Sequence, residues 1–273
     1  EAVRTFRSRN RTTELCRKLG IRTPETVFTD RDRLPADAEA SGYPFFLKLS
    51  GSVASSGVVL VHNPRHLKSI VERLDPRAEI QMQEVVNGDR VGLTAYCHEG
   101  VIRKCFSFRT PYELSGGGNP PFAVIEKDSG FTAELEKIVH HTNWTGGIDL
   151  DLIQSSDGKS YLLEVNPRLS GTTMFALKVG VDLPSAYLDE TDASDDIFVP
   201  GMNRKADGFI CLNTEATYLR RNFEKWARYG ASFRSENVCV DSSFPDDPGY
   251  SGALHATILE NIRIGCKRSS RKK

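Results

Sequence analysis

Two consecutive stretches with strand-like alternation constrain this chain more than any other feature. Residues 148–153 are IDLDLI, residues 161–168 are YLLEVNPR, and the turn-forming sequence SSDGK lies between them. This pattern predicts a β-hairpin, in which alternate side chains share a face. The apolar residues are expected on the core face of the sheet: Leu150, Leu152, Leu163 and Val165. The acidic, amide and guanidinium residues are expected on the other face: Asp149, Asp151, Glu164, Asn166 and Arg168.

The polar face of this hairpin has two interpretations. It is either the solvated outer face of an antiparallel sheet, which is common, or a binding site. Like charges on adjacent strands repel each other unless a cation or a basic group lies between them. Hard oxygen ligands in this arrangement suit Mg²⁺, which typically takes one or two carboxylates together with substrate phosphates. The pattern therefore favours a site for a metal and a nucleotide.

The order of these residues resembles the Mg²⁺-binding end of the ATP-grasp superfamily. Members of that superfamily include D-alanine–D-alanine ligase, biotin carboxylase and the carbamoyl phosphate synthetase large subunit, and EVNPRLSG at residues 164–171 is most similar to the last of these. The resemblance implies an α+β fold of two lobes whose mostly antiparallel sheets clamp Mg-ATP. It implies that Asp151, Glu164 and Asn166 bind Mg²⁺, with Mn²⁺ as an alternative. It also implies a catalytic role for Arg168.

A lysine inside an apolar strand is the second signal. Residues 45–49 are FFLKL, and a buried ammonium group loses its hydration unless an anion pairs with it. The loop that follows, SGSVASSG at residues 50–57, is small enough for its backbone N–H groups to approach phosphate oxygens. Taken alone, such a loop is more typical of a flexible linker. After the lysine strand, the resemblance implies contacts with ATP phosphates for four residues: Lys48, Ser55, Ser56 and Gly57.

The third signal is QEVVNG at residues 83–88. It resembles the ATP-grasp strand that joins the two lobes and contacts adenine, which implies hinge contacts for Glu84, Val85 and Val86. The superfamily usually has a ribose-binding carboxylate two residues after the glycine. This chain has Arg90 there, so Asp89 is only a candidate for that contact.

The N-terminal residues predict one helix, from about residue 4 to residue 19, which ends before Gly20. In the superfamily a basic residue of this helix contacts phosphate, and the corresponding residue here is Arg9. The other interpretation is a solvated arginine in an arginine-rich helix, because Arg7 and Arg11 are its neighbours. Both interpretations stay open from the residues alone.

Length and composition set the remaining expectations. The chain has 273 residues, of which 39% are hydrophobic and 26% charged, and its formal net charge is zero. Nothing in these values suggests a nucleic acid or a membrane as partner. No stretch resembles a membrane span or a signal peptide. The scattered cysteines favour free thiols in a reducing cytoplasm, and the oligomeric state is left open.

The motifs divide the chain into four parts. Residues 1–23 are expected to be a helix and a linker, preceded in the superfamily by a domain that we expect to be absent, because the chain starts at Glu1. Residues 24–86 are expected to form the small lobe, and residues 87–190 the large lobe with the metal site. Residues 191–273 are an extension of unknown role with a basic tail, which is more typical of a solvated terminus than of a nucleic-acid contact.

The implied activity is that of an ATP-dependent ligase for a small-molecule carboxylate and an amine. A carboxylate is a poor acyl donor because its leaving group would be oxide, whereas phosphate leaves readily from an acyl phosphate. The ligase would therefore release ADP and phosphate and form a C–N bond. Two alternatives remain, a non-catalytic ATP-binding regulatory module and an ATP-grasp kinase that stops at phosphoryl transfer. No general base is evident, and Asp149 is only a candidate.

Overall fold

Two β-sheets form the framework of the described part of the chain, and helices pack against them. The computed structural model describes residues 1–50, 57–110, 122–126, 130–178, 180–187, 208–210 and 238–240. The first sheet has four strands, β1 (Thr26–Thr29), β2 (Phe45–Leu49), β3 (Val58–Val61) and β4 (Ile80–Glu84). They lie in the order β1-β4-β2-β3, and every neighbouring pair is antiparallel.

The second sheet contains the predicted hairpin. Its seven strands are β5 (Gly88–His98), β6 (Val101–Thr110), β7 (Phe122–Ile125), β8 (Gly146–Ser155), β9 (Ser160–Asn166), β10 (Gly208–Ile210) and β11 (Val238–Val240). Their order is β11-β10-β7-β6-β5-β8-β9. The pair β10 and β11 is parallel and all other neighbours are antiparallel.

Each sheet has its own hydrophobic core, to which helices contribute. The helices are α1 (Ala2–Arg7), α2 (Arg9–Lys18), α3 (Leu34–Ser41), α4 (Pro64–Val71), α5 (Thr132–Thr142) and α6 (Thr173–Lys178), with a 3₁₀ turn at Ser185–Tyr187. Leu34 of α3 and Leu67 of α4 pack with Leu47 of β2. Leu135 of α5 packs with Leu150 of β8 in a separate core. The predicted α+β class with mostly antiparallel sheets is confirmed.

The prediction of one N-terminal helix over residues 4–19 is wrong, because the chain breaks at Ser8. Ser8 has extended backbone angles (φ −106°, ψ 118°), and its hydroxyl accepts a hydrogen bond from the backbone N–H of Arg11. It therefore acts as the N-cap of α2. The break lets Phe6 of α1 and Cys16 of α2 enter the same core, where the Phe6 ring packs edge-on against another aromatic ring.

The hairpin of β8 and β9 is confirmed, with one correction to its core face. Leu150, Leu152 and Val165 are buried as predicted, but Leu163 is only partly buried and Leu162 takes its place. The pairing register shifts at this point, so that Leu163 is an extra residue in β9. Such a β-bulge moves the alternation of the strand by one residue, which a strict period-two pattern cannot show.

Helix α4 is capped at its start by a side chain. The Asn63 side chain accepts a backbone hydrogen bond at the N-cap, and Pro64 is the first residue of the helix. The helix ends at Val71. Beyond it, Leu74 donates to the Val71 carbonyl in a tighter turn. Toward the C-terminus, the predicted basic tail lies outside the described residues.

Candidate functional site

The polar face of the hairpin brings the three predicted metal ligands together. In the pairing register Asp151 lies opposite Glu164, and Asp149 lies opposite Asn166. Because directly opposed residues of antiparallel strands share a face, all four side chains are neighbours. The Asn166 amide donates a 3.4 Å hydrogen bond to Asp151 Oδ2. The side chains of Asp151 and Glu164 are 36% and 38% exposed, so both carboxylates can reach a ligand from solvent.

Arg9 links this acidic face to the first sheet. As the first residue of α2, it donates from Nη1 to the carbonyl of Leu49, which ends β2. From Nη2 it forms a 3.0 Å ion pair with Glu164 Oε1. The Arg9 side chain is largely buried, so this is not the solvated arginine of the alternative interpretation.

Lys48 reaches the same place from β2. Its side chain is 7% exposed, and Nζ donates a 3.4 Å hydrogen bond to the carbonyl of Leu163. Leu163 is the bulged residue of β9, so the bulge provides the second sheet's contact with Lys48. Burial lowers the pKa of Lys48 to about 8, which the charge of Glu164 partly offsets and the neighbouring Arg9 reinforces.

Asp149 and Arg168 lie at the far end of the acidic face. Asp149 is buried, and burial together with the charge of Asp151 raises its pKa to about 7. A hydrogen bond with Ser170 and the charge of Arg168 act in the opposite direction. The Arg168 side chain is exposed, and its Nη1 donates to the carbonyl of Leu169 at 3.1 Å.

Two arginines of β5 and β6 belong to this region although the sequence interpretation gave them no role. Arg90 Nη2 lies 3.7 Å from Asp151 Oδ1. Arg109 donates to Asp89 at 2.8 Å, to Glu126 at 2.7 Å and to Gln154 at 2.6 Å. Asp89, a candidate for the ribose contact, is therefore already paired with Arg109. The departure at position 90 was the one sequence signal that could have drawn attention to Arg90.

The predicted hinge residues lie between the two sheets. Glu84 ends β4 of the first sheet, and Val85 and Val86 lead to β5 of the second. The backbone N–H of Glu84 donates to the carbonyl of Glu25, and Glu84 Oε1 accepts from the backbone N–H of Glu25, both at 2.9 Å. These two bonds tie together the place where the chain enters the first sheet, before β1, and the place where it leaves that sheet, after β4.

The predicted phosphate loop is described only at its first and last residues, Ser50 and Gly57. The carbonyl of Gly57 accepts a 2.8 Å hydrogen bond from the backbone N–H of Leu49, which closes the loop where β2 returns as β3. Ser55 and Ser56 lie outside the described residues. Their predicted contacts with phosphate stay predictions.

The predicted metal ligands fit Mg²⁺ by their chemistry. Among the residues that the structure describes, no three His, Cys, Asp or Glu side chains are grouped so as to hold a metal ion. The predicted set differs from such a group because Asn166 supplies its third oxygen. Mg²⁺ typically binds only one or two carboxylates and completes its shell with other oxygens, so Asp151, Glu164 and Asn166 are a suitable set.

The described cysteines agree with the expectation of free thiols. Cys16, Cys97 and Cys105 are unbridged and buried, and burial raises the pKa of each thiol to about 12. No helix in the described ranges has the length and apolar character needed to cross a membrane.

Comparisons with known proteins show which solved structures this architecture resembles. No family model matches the chain. N5-carboxyaminoimidazole synthase from Aspergillus clavatus, solved with ADP and 5-aminoimidazole ribonucleotide, is 17% identical over 74% of this chain and 54% of its own, with a TM-score of 0.57. Phosphoribosylamine–glycine ligase from Thermotoga maritima is 17% identical over 69% of this chain and 55% of its own, with a TM-score of 0.59.

A third similar structure was solved with magnesium and nucleotide. It is the biotin carboxylase domain of Hydrogenobacter thermophilus 2-oxoglutarate carboxylase, in complex with MgADP, ADP and bicarbonate. It is 14% identical over 72% of this chain and 47% of its own, with a TM-score of 0.58. The chain spans about half the length of these three structures. These similarities and the two mostly antiparallel sheets show that the chain has the ATP-grasp fold.

Proposed function

We propose that the chain is the nucleotide-binding part of an ATP-dependent ligase. The ligase would activate a small-molecule carboxylate as an acyl phosphate, which an amine then attacks to form a C–N bond, with release of ADP and phosphate. The similar solved structures include ligases and complexes with ADP, which supports ATP as the substrate class of this fold.

The meeting of two basic side chains with the acidic hairpin carries this proposal. Arg9 bridges the end of β2 and Glu164, and Lys48 contacts the carbonyl of Leu163 one residue earlier in β9. Both cations lie where the first sheet faces the second. Cations fixed in this way can bind phosphate oxygens by charge-assisted hydrogen bonds, while the facing carboxylates can take a cation that accompanies the phosphates.

Burial prepares Lys48 for an anion. In place of water, its ammonium group has one 3.4 Å hydrogen bond to a carbonyl and the attraction of nearby carboxylates. A phosphate oxygen would provide the compensation that the present surroundings give only in part. Since the group is already in place, little reorganisation is needed when the phosphate arrives, and fixed charges of this kind stabilise phosphoryl transfer.

Three hairpin residues would hold the metal ion, namely Asp151, Glu164 and Asn166. Bound there, Mg²⁺ would supply positive charge that stabilises the phosphoryl group during its transfer. Mn²⁺ has similar ligand preferences and is the alternative. Glu164 would have to share its carboxylate between the ion and Arg9, and its exposure leaves the second oxygen accessible.

Arg168 is the proposed catalytic residue. Its exposed guanidinium contacts only the neighbouring Leu169 carbonyl among the hydrogen bonds of the described structure, so it can turn toward an incoming anion. A planar guanidinium can bind a carboxylate with two parallel hydrogen bonds. We infer that Arg168 orients the acceptor carboxylate or stabilises the oxyanion that forms when the amine attacks.

The adenine contacts complete the proposed site. Val85 and Val86 offer partly buried side chains and backbone groups beside Glu84, in the segment that joins the sheets. Gly57, Ser55 and Ser56 would cover the phosphates. We further propose that this chemistry takes place in the cytoplasm, where ATP and reduced thiols are both maintained.

Calorimetric titration of ATP, with and without Mg²⁺, tests the nucleotide site. Glu164→Gln removes one ligand charge and the ion pair with Arg9, and is expected to weaken Mg-ATP binding about tenfold or more, the value of one charged hydrogen bond. Glu72→Gln, at an exposed position beside α4, is the matched control and should bind like the unsubstituted chain. Equal binding by all three proteins would contradict the proposed ligand set.

Product analysis tests the reaction class. Pairs of carboxylates and amines are screened for release of ADP and phosphate. Formation of AMP and pyrophosphate as the only products would overturn the acyl-phosphate assignment. Release of ADP that requires the acid but not the amine, with a stable phosphorylated product, would instead identify a kinase. Tight binding of Mg-ATP without any turnover would favour a regulatory module.

A further inference from the structure

Helix α2 carries three polar residues at intervals of one turn, each of which contacts a different strand of the first sheet. Arg9 donates to the Leu49 carbonyl at the end of β2. The Thr13 hydroxyl accepts from the Gln81 amide of β4 at 3.1 Å. Arg17 donates to the backbone carbonyl at the start of β1. Since these strands are adjacent in the order β1-β4-β2, the helix crosses the sheet.

The apolar side of the same helix belongs to the other sheet. Cys16 is buried in the core that contains Leu162 and Val165 of β9, and Leu15 and Leu19 pack against that core. Helix α2 is therefore held by hydrophobic packing on the second sheet and by hydrogen bonds on the first. A change in how it lies on the first sheet moves Arg9 relative to the Leu49 carbonyl.

The middle contact is the most buried of the three. Thr13 is 7% exposed and Gln81 is 2% exposed. In the pairing of β2 with β4, Gln81 lies directly opposite Lys48. The bond thus joins the helix that carries one basic residue of the site to the strand beside the other. Breaking it would leave a buried polar group without a partner, which is costly.

Arg9 and the bonded pair Thr13 and Gln81 line the same cavity. This polar cavity has a volume of about 50 Å³, and its walls also include Glu164. A space of this size can hold a water molecule. The direct bond between Thr13 and Gln81 is a fixed contact between helix and sheet one turn from Arg9.

We propose that Thr13 and Gln81 are positioning residues of the nucleotide site. Their hydrogen bond fixes α2 on β4 and so holds Arg9 within reach of both the Leu49 carbonyl and Glu164. The consequence for ATP rests on the proposed function, whereas the consequence for the Arg9–Glu164 pair does not. Neither residue contacts the nucleotide itself in this proposal.

The first sheet contains a matched control for this bond. Gln83, two residues along β4, donates to the Thr26 hydroxyl at the same distance of 3.1 Å. Thr26 is 7% exposed, as Thr13 is. The control bond lies within the sheet, and the Thr26 hydroxyl does not contact α2; the Arg17 contact is with the Thr26 backbone carbonyl, which a side-chain substitution keeps. Thr26 also donates to the Pro24 carbonyl, so Thr26→Val should destabilise the fold at least as much as Thr13→Val.

Mg-ATP titrations of the two valine variants separate positioning from stability. Thr13→Val is expected to weaken binding about threefold to tenfold, which corresponds to one lost hydrogen bond. Thr26→Val should bind within about twofold of the unsubstituted chain, although it lowers the unfolding midpoint by as much or more. Thr13→Ser keeps the hydroxyl and should restore the affinity. Equal affinities for the two valine variants would overturn the positioning role.

A second measurement decides the matter even if the unsubstituted chain does not bind Mg-ATP, which would contradict the proposed function alone. Urea unfolding midpoints are compared for Thr13→Val, Glu164→Gln and the double variant. If Thr13 holds Arg9 at Glu164, the shift of the double variant should be smaller than the sum of the single shifts. Thr26→Val combined with Glu164→Gln should be additive. Additive shifts in both pairs would overturn the inference.

Discussion

The two halves of the candidate site differ in how they are held. On the side of the first sheet, Lys48 is almost fully buried and Arg9 is held by a carbonyl and an ion pair. On the hairpin, Asp151 and Glu164 are more than one-third exposed. The basic half is fixed before any ligand is present, whereas the acidic half can exchange water and cations.

This difference has a physical reason. A buried ammonium group is expensive, so it persists only where the surroundings restrict it to one arrangement. Exposed carboxylates lose little hydration and need no such restriction. The basic half therefore determines where a phosphate can bind, and the acidic half determines whether a metal accompanies it. Each prediction below changes a residue of one half and measures the effect on stability or on ligand binding.

The largest effect is expected where the acidic half rests on its core. Leu162→Ala removes a fully buried side chain beneath the hairpin and should lower the free energy of unfolding by about 3 kcal/mol, a typical cost for a core leucine. Leu163→Ala, at the bulged and partly buried position, should cost about 1 kcal/mol or less. Urea unfolding of both variants measures this. The reverse order would contradict the bulge and restore the simple alternation.

The next largest effect concerns the basic half. Lys48→Met keeps the apolar stem and removes the ammonium group, and it should weaken ATP binding about tenfold to a hundredfold, the value of one charged hydrogen bond. The same variant should unfold at a higher urea concentration, because it no longer buries a charged group. Desolvation of that group is what lowers the pKa of Lys48. Calorimetry and urea unfolding measure the two changes. Loss of both affinity and stability would show that Lys48 is structural.

The sequence predicts part of each half of the site. The strand with Lys48 and the hairpin with Asp151 and Glu164 follow from local alternation, because a strand's faces are set by the order of its own residues. The bulge at Leu163 does not, since one extra residue changes the phase without changing the composition. The lengths of the two strands do not show the position of the extra residue.

Tertiary contacts account for the other differences. The break at Ser8 lies in an arginine-rich stretch without glycine or proline, and serine caps a helix only where the chain must turn. The pairing of Arg90 with Asp151 and the bond between Thr13 and Gln81 join residues from different elements. Such contacts depend on how the sheets and helices pack, which a single sequence does not encode locally.

A smaller effect is expected from the metal side of the acidic half. Asp151→Asn removes one proposed ligand charge and should reduce the advantage that Mg²⁺ gives to ATP binding by about tenfold. Asp157→Asn makes the same change in the turn of the same hairpin, where Asp157 pairs with Lys159 in solvent, and should leave the advantage unchanged. Titrations with and without Mg²⁺, the latter in excess chelator, provide the ratio. An unchanged ratio for both variants would remove Asp151 from the ligand set.

The smallest effect is a dependence of ATP affinity on pH that arises in the basic half. With its pKa lowered from 10.5 to about 8, Lys48 of the free protein loses its proton as pH rises through 8. Only the charged form attracts phosphate, so affinity is highest below that pH and falls above it. Between pH 7 and pH 8.5 the charged fraction, and with it the affinity, should fall about fourfold.

Lys48→Arg is the control, because a guanidinium keeps its charge throughout this range. The charged neighbours that act on the pKa of Lys48 are Glu164, Asp151, Arg9 and Arg90. Titrations of ATP at several pH values should thus give a falling affinity for the unsubstituted chain and a flat profile for the arginine variant. Parallel profiles would assign the pH dependence to another group and would leave Lys48 charged over the whole range. Burial of the Lys48 ammonium group would then cost less than its low exposure implies. The basic and acidic halves of the site would differ less in their cost of desolvation.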